Sequence, residues 1–402
     1  MFFFLFPYKV NRAFKEVPLL TIIIIAVNAF FYFGTSVDLE NTVKYLGFVP
    51  NIHGLYTWFT SMFLHGDFFS HLLWNMYFLW LFGALLEDVL GKLKFSLIYL
   101  SSGLVACLVH AGIIALFVPS LKEVPLIGAS GAIAGLLGVF AVRFYKNKIS
   151  IAYFVFILLF IRWGVLEITS VAALSIWVGR ELLSGLLQIG GLASPVAHWA
   201  HIGGFVFGVI VALSFRLAKD ADVEYLSGEA DSWARMGIHS GASSRYTQLI
   251  ENRPKDPEAY RKLARSMLFS GNENREEIIQ NYMKAINLFL KNQQKQEAMQ
   301  AYQELNDAYA GVVLDAKTQF ALGSVSESQA QFQVAADAYY KLIENHPDCP
   351  ETEKASFRLA HIYLKMGDKE EANKTWQRFV EKYPNSQWIP FADCSFTVKV
   401  GG

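Results

Sequence analysis

Two apolar stretches rich in glycine decide the fold of this chain: GASGAIAGLLGVF over residues 128–140 and AHIGGFVFGVIVAL over residues 200–213. In each stretch glycines recur at an interval of four residues, at Gly131, Gly135, Gly204 and Gly208. Small residues at this spacing share one face of a helix and let two membrane helices approach closely. We therefore expect both stretches to be membrane-spanning helices that pack against each other, which would bring Ser130 close to His201.

The composition divides the chain into two unlike halves. Over its 402 residues the chain is 53% hydrophobic and has zero formal net charge, but its first half is apolar whereas its second half is charged and polar. This change predicts a membrane domain over 1–218, a linker over 219–227, a second domain over 228–390 and a tail over 391–402. Because neither half has a basic stripe or an Arg-rich run, we do not expect nucleic acid as a partner.

The apolar half contains enough hydrophobic segments for six membrane spans, each of which needs about 20 residues. The expected spans are 18–36, 69–87, 94–118, 126–145, 166–189 and 198–218. The apolar region 149–190 admits either one crossing or two. One crossing is favoured because it returns the chain to the membrane face of Ser130, and we expect 149–163 to lie shallow, to re-enter the membrane or to pack as an extension. The predicted fold class is an all-α, polytopic membrane helix bundle.

The Lys and Arg residues near the span ends are distributed unequally between the two faces of this bundle. One face has Lys9, Arg12, Lys15, Lys92, Lys94, Arg143, Lys146, Lys148, Arg216 and Lys219. The other face has Lys44 and Lys122. Since positive residues concentrate on the cytoplasmic side of a membrane, we expect both termini to be cytoplasmic and Ser130 and His201 to lie toward the outer face. We expect the host to be a bacterial cytoplasmic (inner) membrane.

Ser130 and His201 are the residues of these spans with the strongest catalytic potential. A serine hydroxyl becomes an effective nucleophile when a base within about 2.6–3.2 Å takes its proton. An ionisable residue inside a membrane span is costly and usually functional, which favours His201 as that base. His71 and Asn75 are four residues apart and therefore share one face of the second span.

Together, the segments Gly128-Ala129-Ser130-Gly131 and Ala200-His201-Ile202-Gly203-Gly204, with His71 and Asn75 upstream, resemble the rhomboid family of intramembrane serine proteases. The resemblance covers roughly residues 15–218. It implies that Ser130 and His201 act as a dyad without a carboxylate, and no acidic residue stands out beside His201 in the sequence. It also implies that the oxyanion donors are His71, Asn75 and the backbone N–H of Ser130, and that the site-supporting glycines are Gly128, Gly131 and Gly204.

The resemblance further implies an activity and a set of partners. It implies a serine endopeptidase that works within the lipid bilayer on transmembrane protein substrates, without a metal or another cofactor. Ala134 departs from the family, because many members have at this position an aromatic residue that packs against the histidine. This difference leaves Ser130 and His201 unchanged, so it bears on the shape of the substrate cleft.

Each signal also has a simpler interpretation. A lone Gly-x-Ser-Gly segment in a span usually serves helix packing, and His71 with Asn75 could form an interhelical hydrogen bond. The histidines near one membrane face, His65, His71, His198 and His201, could bind zinc, although no His-Glu-x-x-His motif accompanies them. The alternative function is a catalytically silent, rhomboid-like chaperone or adaptor that binds transmembrane segments.

The polar half shows self-similarity at a period in the mid-thirties, which is typical of tetratricopeptide repeats. The clearest copy contains Leu359, Ala360, Tyr363, Gly367, Ala372, Trp376, Phe379 and Pro384. A second copy lies 37 residues earlier, and a weaker one covers 237–254. We expect three to five helix pairs stacked into an α-solenoid that binds an unknown cytoplasmic protein, with a generic helical bundle as the alternative.

Overall fold

The chain folds into two compact units, Met1–Asp222 and Val223–Gly402. A computed structural model describes residues 2–12, 14–50, 54–157, 160–192, 194, 196–392 and 396, with the backbone alone for residues 2–5, 156, 157 and 160. Most of the tail predicted over 391–402 therefore lies outside the described residues. Both units are predominantly helical.

The first unit contains helices at all six expected spans, together with two short helices and the start of another. They are α1 (Leu19–Thr35), α2 (Leu39–Leu46), α3 (Thr57–Thr60), α4 (Trp74–Phe78), α5 (Ala84–Phe117), α6 (Ser130–Arg143), α7 (Ser170–Ile189), α8 (His198–Ser214) and α9 (Leu217–Arg235), the last of which crosses the boundary in sequence and contains the expected linker. The prediction of a polytopic helical membrane bundle is confirmed.

The second and third expected spans belong to one helical run. Pi-helical segments, Phe68–Leu73 and Leu79–Gly83, flank α4 and join it to α5, and the run is broken at Gly91, which has φ +73°. In the described part of the chain, the runs long and apolar enough to cross a membrane are Leu19–Leu46, Phe68–Phe117 and Ser170–Ile189, with the bent pair of α8 and α9 as a fourth. Helix α6 is apolar but shorter, at about 21 Å for a rise of about 1.5 Å per residue.

A three-stranded antiparallel sheet departs from the predicted all-α architecture. Its strands are β1 (Phe2–Val10), β2 (Lys148–Ile157) and β3 (Phe160–Thr169), in the order β1-β2-β3. Lys148 pairs with Thr169 and Phe154 pairs with Trp163 across the hairpin. The described part of region 149–163 thus forms strands of this sheet, which none of the three expectations for it included. Its β-branched and aromatic residues favour strands, and periodicity alone does not separate a short apolar strand from a buried helix.

A buried carboxylate fastens α1 to the helical run that precedes Gly91. Glu87 is 4% exposed and accepts the backbone N–H groups of Leu20, at 2.9 Å, and Thr21, at 2.7 Å, together with the Thr21 hydroxyl. The first N–H groups of a helix have no acceptor within it, and the positive end of the helix dipole favours a carboxylate there. Glu87 therefore caps α1 from a neighbouring span.

The basic residues predicted to share one face gather at one end of the first unit. The backbone N–H of Lys15 donates a hydrogen bond to Asp88, and Lys146 pairs with Asp222 at 2.8 Å. Lys94 lies over the ring of Phe215, and Arg12 lies over the ring of Phe144. At the other end, Phe48 pairs with Leu126, and Gly128 donates its N–H to the Ser61 carbonyl. Two ends of different charge thus emerge from contacts between segments distant in the sequence.

The second unit consists of successive helices that pack mainly on their sequence neighbours. After α9 these are α10 (His239–Asn252), α11 (Pro257–Phe269), α12 (Arg275–Lys291), α13 (Lys295–Ala308), α14 (Ala316–Ser328), α15 (Phe332–Asn345), α16 (Pro350–Lys365) and α17 (Lys369–Lys382). The predicted α-solenoid is confirmed. Helices α16 and α17 form the clearest predicted copy, and the stretch 257–310 forms three regular helices.

Ionic hydrogen bonds tie consecutive helices of the solenoid together. Asp231 accepts hydrogen bonds from Tyr246 at 2.6 Å and from Lys262 at 2.9 Å, so one carboxylate joins α9, α10 and α11. Burial alone would raise the pKa of Asp231, but these two hydrogen bonds hold it below its usual value. The same combination of acid, tyrosine and base recurs at Glu327, Tyr339 and Arg358.

In the last helix pair, we expect one buried aromatic side chain, Trp376, to contribute strongly to the free energy of unfolding. Trp376 is 2% exposed and stacks on Phe396 with ring centroids 4.8 Å apart. We expect Trp376→Ala to lower the free energy of unfolding of the second unit by about 3–5 kcal/mol, because truncation of a buried Trp leaves a cavity. Urea unfolding of the full-length protein in detergent, followed by circular dichroism, measures this change. Phe391→Ala is the matched control, since Phe391 is 69% exposed, and equal costs for the two variants would contradict the prediction.

Candidate active site

Helices α6 and α8 touch backbone to backbone, as the glycine spacing predicts. A Cβ atom placed on Gly204 would overlap the carbonyl oxygen of Gly131, and one placed on Gly208 would overlap that of Gly135. On the opposite side of α6, a Cβ on Gly131 would lie 2.6 Å from the Cβ of Ala106 in α5. The absence of side chains at these positions lets α6 lie between α5 and α8 without a layer of side chains.

This packing places Ser130 against His201. Ser130 is the first residue of α6 and His201 lies in the first turn of α8, so the two side chains meet at the same end of the pair. The Ser130 Oγ lies 2.8 Å from the His201 Nε2, within the distance at which an imidazole can take a hydroxyl proton. The His201 side chain is 14% exposed, which leaves the pair reachable from a cavity.

A carboxylate that sequence reasoning missed lies on the other side of the His201 ring. The Glu181 Oε2 lies 2.9 Å from the Nδ1 of His201 and 2.8 Å from the Nδ1 of His198. Its Oε1 accepts a hydrogen bond from Arg180 at 2.6 Å. The expectation that no acidic residue lies beside His201 is therefore wrong. The available signal was an acidic residue in the middle of α7, an apolar membrane helix, where such residues are costly and usually functional.

On the far side of Ser130, the candidate oxyanion donors face the same cavity. The Nδ1 of His71 accepts the N–H of Gly66 at 3.1 Å, so a neutral His71 carries its proton on Nε2 and can donate it. That Nε2 lies directly against Gly128, where a Cβ would overlap it, and Gly128 has φ +115°. Asn75, 9% exposed, follows one turn later. The backbone N–H of Ser130 has no acceptor within α6, because it opens the helix.

The helix that carries His71 begins at an acidic cap beside the site. Asp67 accepts the backbone N–H of Ser70 at 2.6 Å and the Ser70 hydroxyl at 2.6 Å. These two hydrogen bonds hold the pKa of Asp67 below its usual value. A carboxylate at a helix N-terminus is stabilising, so Asp67 fixes the first turn from which His71 projects.

The cavity between these residues has a volume of about 630 Å³ and is lined by Ser130, His201, His71 and Asn75 together. Its apolar lining includes Trp74, Phe78, Ile133, Leu137 and Trp177, and its polar lining includes Glu181, His110, Gln188 and Ser194. His65 lies outside this lining and is fully buried, with its ring 4.9 Å from that of His71. His110 and Gln188 were not predicted from the sequence.

Trp177 supplies the aromatic neighbour of His201. Its ring centroid lies 6.2 Å from that of His201, at an interplanar angle of 32°. The residue comes from α7 and not from position 134 of α6, where the alanine lines the cavity. Within the part of the chain that the structure describes, no group of three or more His, Cys, Asp or Glu side chains is arranged to hold a metal ion.

Comparison with known families agrees with this architecture. Residues 53–217 match the Rhomboid domain. The first unit of the chain therefore carries a Rhomboid domain over these residues. Residues 354–386 match a tetratricopeptide repeat, in the stretch that forms α16 and α17. The resemblance stated from the sequence is therefore confirmed for both halves.

Curated proteins similar to this chain include rhomboid-like proteins of chloroplasts and mitochondria. Rhomboid-like protein 11, chloroplastic, from Arabidopsis thaliana is 29% identical over 197 residues, which are 47% of this chain and 62% of that protein. Rhomboid protein 1, mitochondrial, from Saccharomyces cerevisiae is 37% identical over 98 residues, which are 23% and 27% of the two chains. The chain thus covers less than two thirds of the length of each. A crystal structure of MamA protein is 20% identical and aligns with 43% of this chain and 97% of its own, at a TM-score of 0.23.

The contact between α6 and α8 predicts that a single methyl group will destabilise the membrane unit. We expect Gly208→Ala to cost about 1–3 kcal/mol, the usual range for overpacking, because its Cβ would overlap the carbonyl oxygen of Gly135. Thermal unfolding in detergent measures the cost. Gly179→Ala in α7 is the matched control, since its Cβ would meet no atom within 4 Å. The same unfolding midpoint for both variants would show that α6 and α8 do not pack through Gly208.

Proposed function

We propose that this protein is an intramembrane serine endopeptidase that hydrolyses peptide bonds in or near transmembrane segments of membrane proteins. The observation that carries the proposal is the 2.8 Å separation of Ser130 Oγ and His201 Nε2 in a cavity that His71 and Asn75 also line. A nucleophile, a base and oxyanion donors around one cavity are the parts that acyl transfer requires.

In this proposal Ser130 attacks the carbonyl carbon of the scissile bond while His201 Nε2 takes the hydroxyl proton. The negative charge that develops on the carbonyl oxygen is stabilised by donors in place beforehand, from His71, Asn75 and the backbone of Ser130. The C–N bond breaks as His201 returns the proton to the leaving amine, leaving an acyl ester on Ser130. Water, deprotonated by His201, then attacks the ester and releases the acid and the Ser130 hydroxyl.

The position of the cavity favours membrane-embedded substrates. It is formed by helices of the polytopic bundle, and much of its lining is apolar, including Phe78, Ile133 and Leu137. An extended apolar segment of a substrate can bury side chains against this lining, while the polar groups near Ser130 hold its backbone. A transmembrane segment that loses helical structure at its end offers both: apolar side chains for the lining and an extended backbone for the polar groups near Ser130.

We also propose an orientation and a role for the second unit. The grouping of basic residues at one end of the first unit supports cytoplasmic termini, in a bacterial inner membrane, with the site toward the outer face. The residue boundaries proposed for the domains are 1–218 and 228–390. Stacked helix pairs usually bind peptides or helices in their groove, so the repeats are assigned to recruiting a cytoplasmic protein partner.

The catalytic assignment predicts strong and non-additive effects. Ser130→Ala and His201→Ala should each remove nearly all turnover, and the double variant should lose no more, because the two groups act as a unit. Asn75→Ala should reduce turnover by about 10–1000-fold, as expected for one oxyanion donor. Cleavage of a reporter transmembrane protein in detergent measures these effects. Ser214→Ala, an exposed serine at the end of α8, is the matched control and should be unchanged. Full activity in Ser130→Ala would contradict Ser130 as the nucleophile, and absence of cleavage by the wild-type protein would favour the chaperone or adaptor function.

The orientation predicts the location of three reporter fusions. Reporters placed after Lys219 and after Gly402 should be cytoplasmic, and one inserted within 38–55 should be external. Alkaline phosphatase and fluorescent protein fusions report the two sides of a bacterial membrane. An external location for the reporter after Gly402 would contradict the number of crossings if the reporter within 38–55 is also external, and the orientation if that reporter is cytoplasmic.

A further inference from the structure

Glu181 is a buried acid that the proposed reaction does not yet use. Its side chain is 1% exposed in α7, where an ionised carboxylate loses its hydration at a cost of several kcal/mol unless partners compensate. The compensation comes from three donors. His201 and His198 approach Oε2 at 2.9 and 2.8 Å, and Arg180 approaches Oε1 at 2.6 Å.

These contacts admit one consistent arrangement of protons. An ionised carboxylate accepts hydrogen bonds and donates none, so His201 and His198 must each present an Nδ1–H to the shared oxygen. In the neutral ring the Nε2 then has a free lone pair. The hydroxyls of Ser130 and Ser194 lie 2.8 and 2.9 Å from the two Nε2 atoms and can both donate. For His201, this is the tautomer that can take a proton from Ser130, whereas the other tautomer would point an N–H at the nucleophile.

We propose that Glu181 is a positioning residue that fixes the tautomer and the ring orientation of His201 and stabilises the imidazolium formed when Ser130 gives up its proton. This inference rests on the proposed function of Ser130 and His201. The hydrogen-bond partners of Glu181 are Arg180, His198 and His201, so it acts on Ser130 through His201. The catalytic unit becomes a chain from Ser130 through His201 to a carboxylate supplied by a third helix.

His198 and Ser194 restrain the carboxylate in this chain. His198 shares Oε2 with His201 and lies one turn earlier on α8, and it is held in turn by Ser194 in the connection that precedes α8. Rotation of the Glu181 side chain would leave both histidines without an acceptor. The carboxylate therefore joins α7 to α8 at the level of Ser130, which fixes where the His201 ring can lie.

Glutamine at position 181 would be a poor substitute despite its equal size. Its amide has one accepting oxygen and one donating nitrogen, whereas the site presents donors to both oxygens. If the amide nitrogen faces the histidines, at least one ring must change tautomer. If the oxygen faces them, the nitrogen opposes Arg180. Glu181→Asp keeps two accepting oxygens and the charge on a shorter side chain, so charge and size can be tested separately.

The experiment compares Glu181→Gln, Glu181→Asp and wild type as full-length proteins in detergent, with kcat and KM measured on a reporter transmembrane substrate. We expect Glu181→Gln to lower kcat by about 100–10,000-fold, as for loss of the carboxylate in a serine protease triad, with KM within about threefold. Glu181→Asp should retain a higher kcat than Glu181→Gln. Glu167→Gln, which changes an exposed acid in β3, is the matched control and should equal wild type.

The possible outcomes separate this inference from the function on which it rests. A Glu181→Gln variant with kcat within threefold of wild type would overturn the positioning role while leaving the protease. If Glu181→Gln does not insert, the comparison rests on Glu181→Asp, whose kcat should fall by at least tenfold at unchanged KM. If the substitution changes only KM or only the unfolding temperature and leaves kcat unchanged, Glu181 serves packing and the positioning role is overturned. Absence of turnover in wild type would overturn both proposals.

Discussion

The close backbone contact between α6 and α8 is the constraint on which the rest of the site depends. Any side chain at Gly204 or Gly208 would overlap a carbonyl oxygen of α6, so the two helices approach more closely than side-chain packing permits. Because Ser130 and His201 stand in the first turns of these helices, that approach also sets the distance between hydroxyl and imidazole. The cavity, the candidate oxyanion donors and the carboxylate are arranged around this fixed pair.

Buried acids supply the second level of organisation in the membrane unit. Glu87 caps α1 from the helical run that precedes Gly91, and Glu181 joins α7 to two histidines of α8. In each case a carboxylate that would be costly inside a bundle is surrounded by N–H donors that have few other acceptors. One of these acids serves helix assembly. The other lies next to the residues proposed to carry the reaction. A buried carboxylate that accepts several hydrogen bonds thus serves helix packing at one position and the proposed chemistry at the other.

The sequence predicted what depends on local pattern. Span positions follow from runs of apolar residues, the helix contact follows from glycines four residues apart, and the repeats follow from their period. Glu181 was missed because its significance depends on α7 lying beside α8, a contact between segments 17 or more residues apart that no spacing rule indicates. The β2–β3 hairpin was missed because a short apolar run of β-branched and aromatic residues suits either a strand or a buried helix.

Covalent labelling can show whether His201 activates Ser130 for nucleophilic attack. A fluorophosphonate probe reacts with an activated serine, and mass spectrometry of the digested protein locates the adduct. We expect an adduct on Ser130 of the wild-type protein in detergent, formed at least 100-fold more slowly in His201→Ala. An adduct that forms at equal rates in the two proteins, or a folded wild-type protein whose Ser130 stays unlabelled, would contradict this activation.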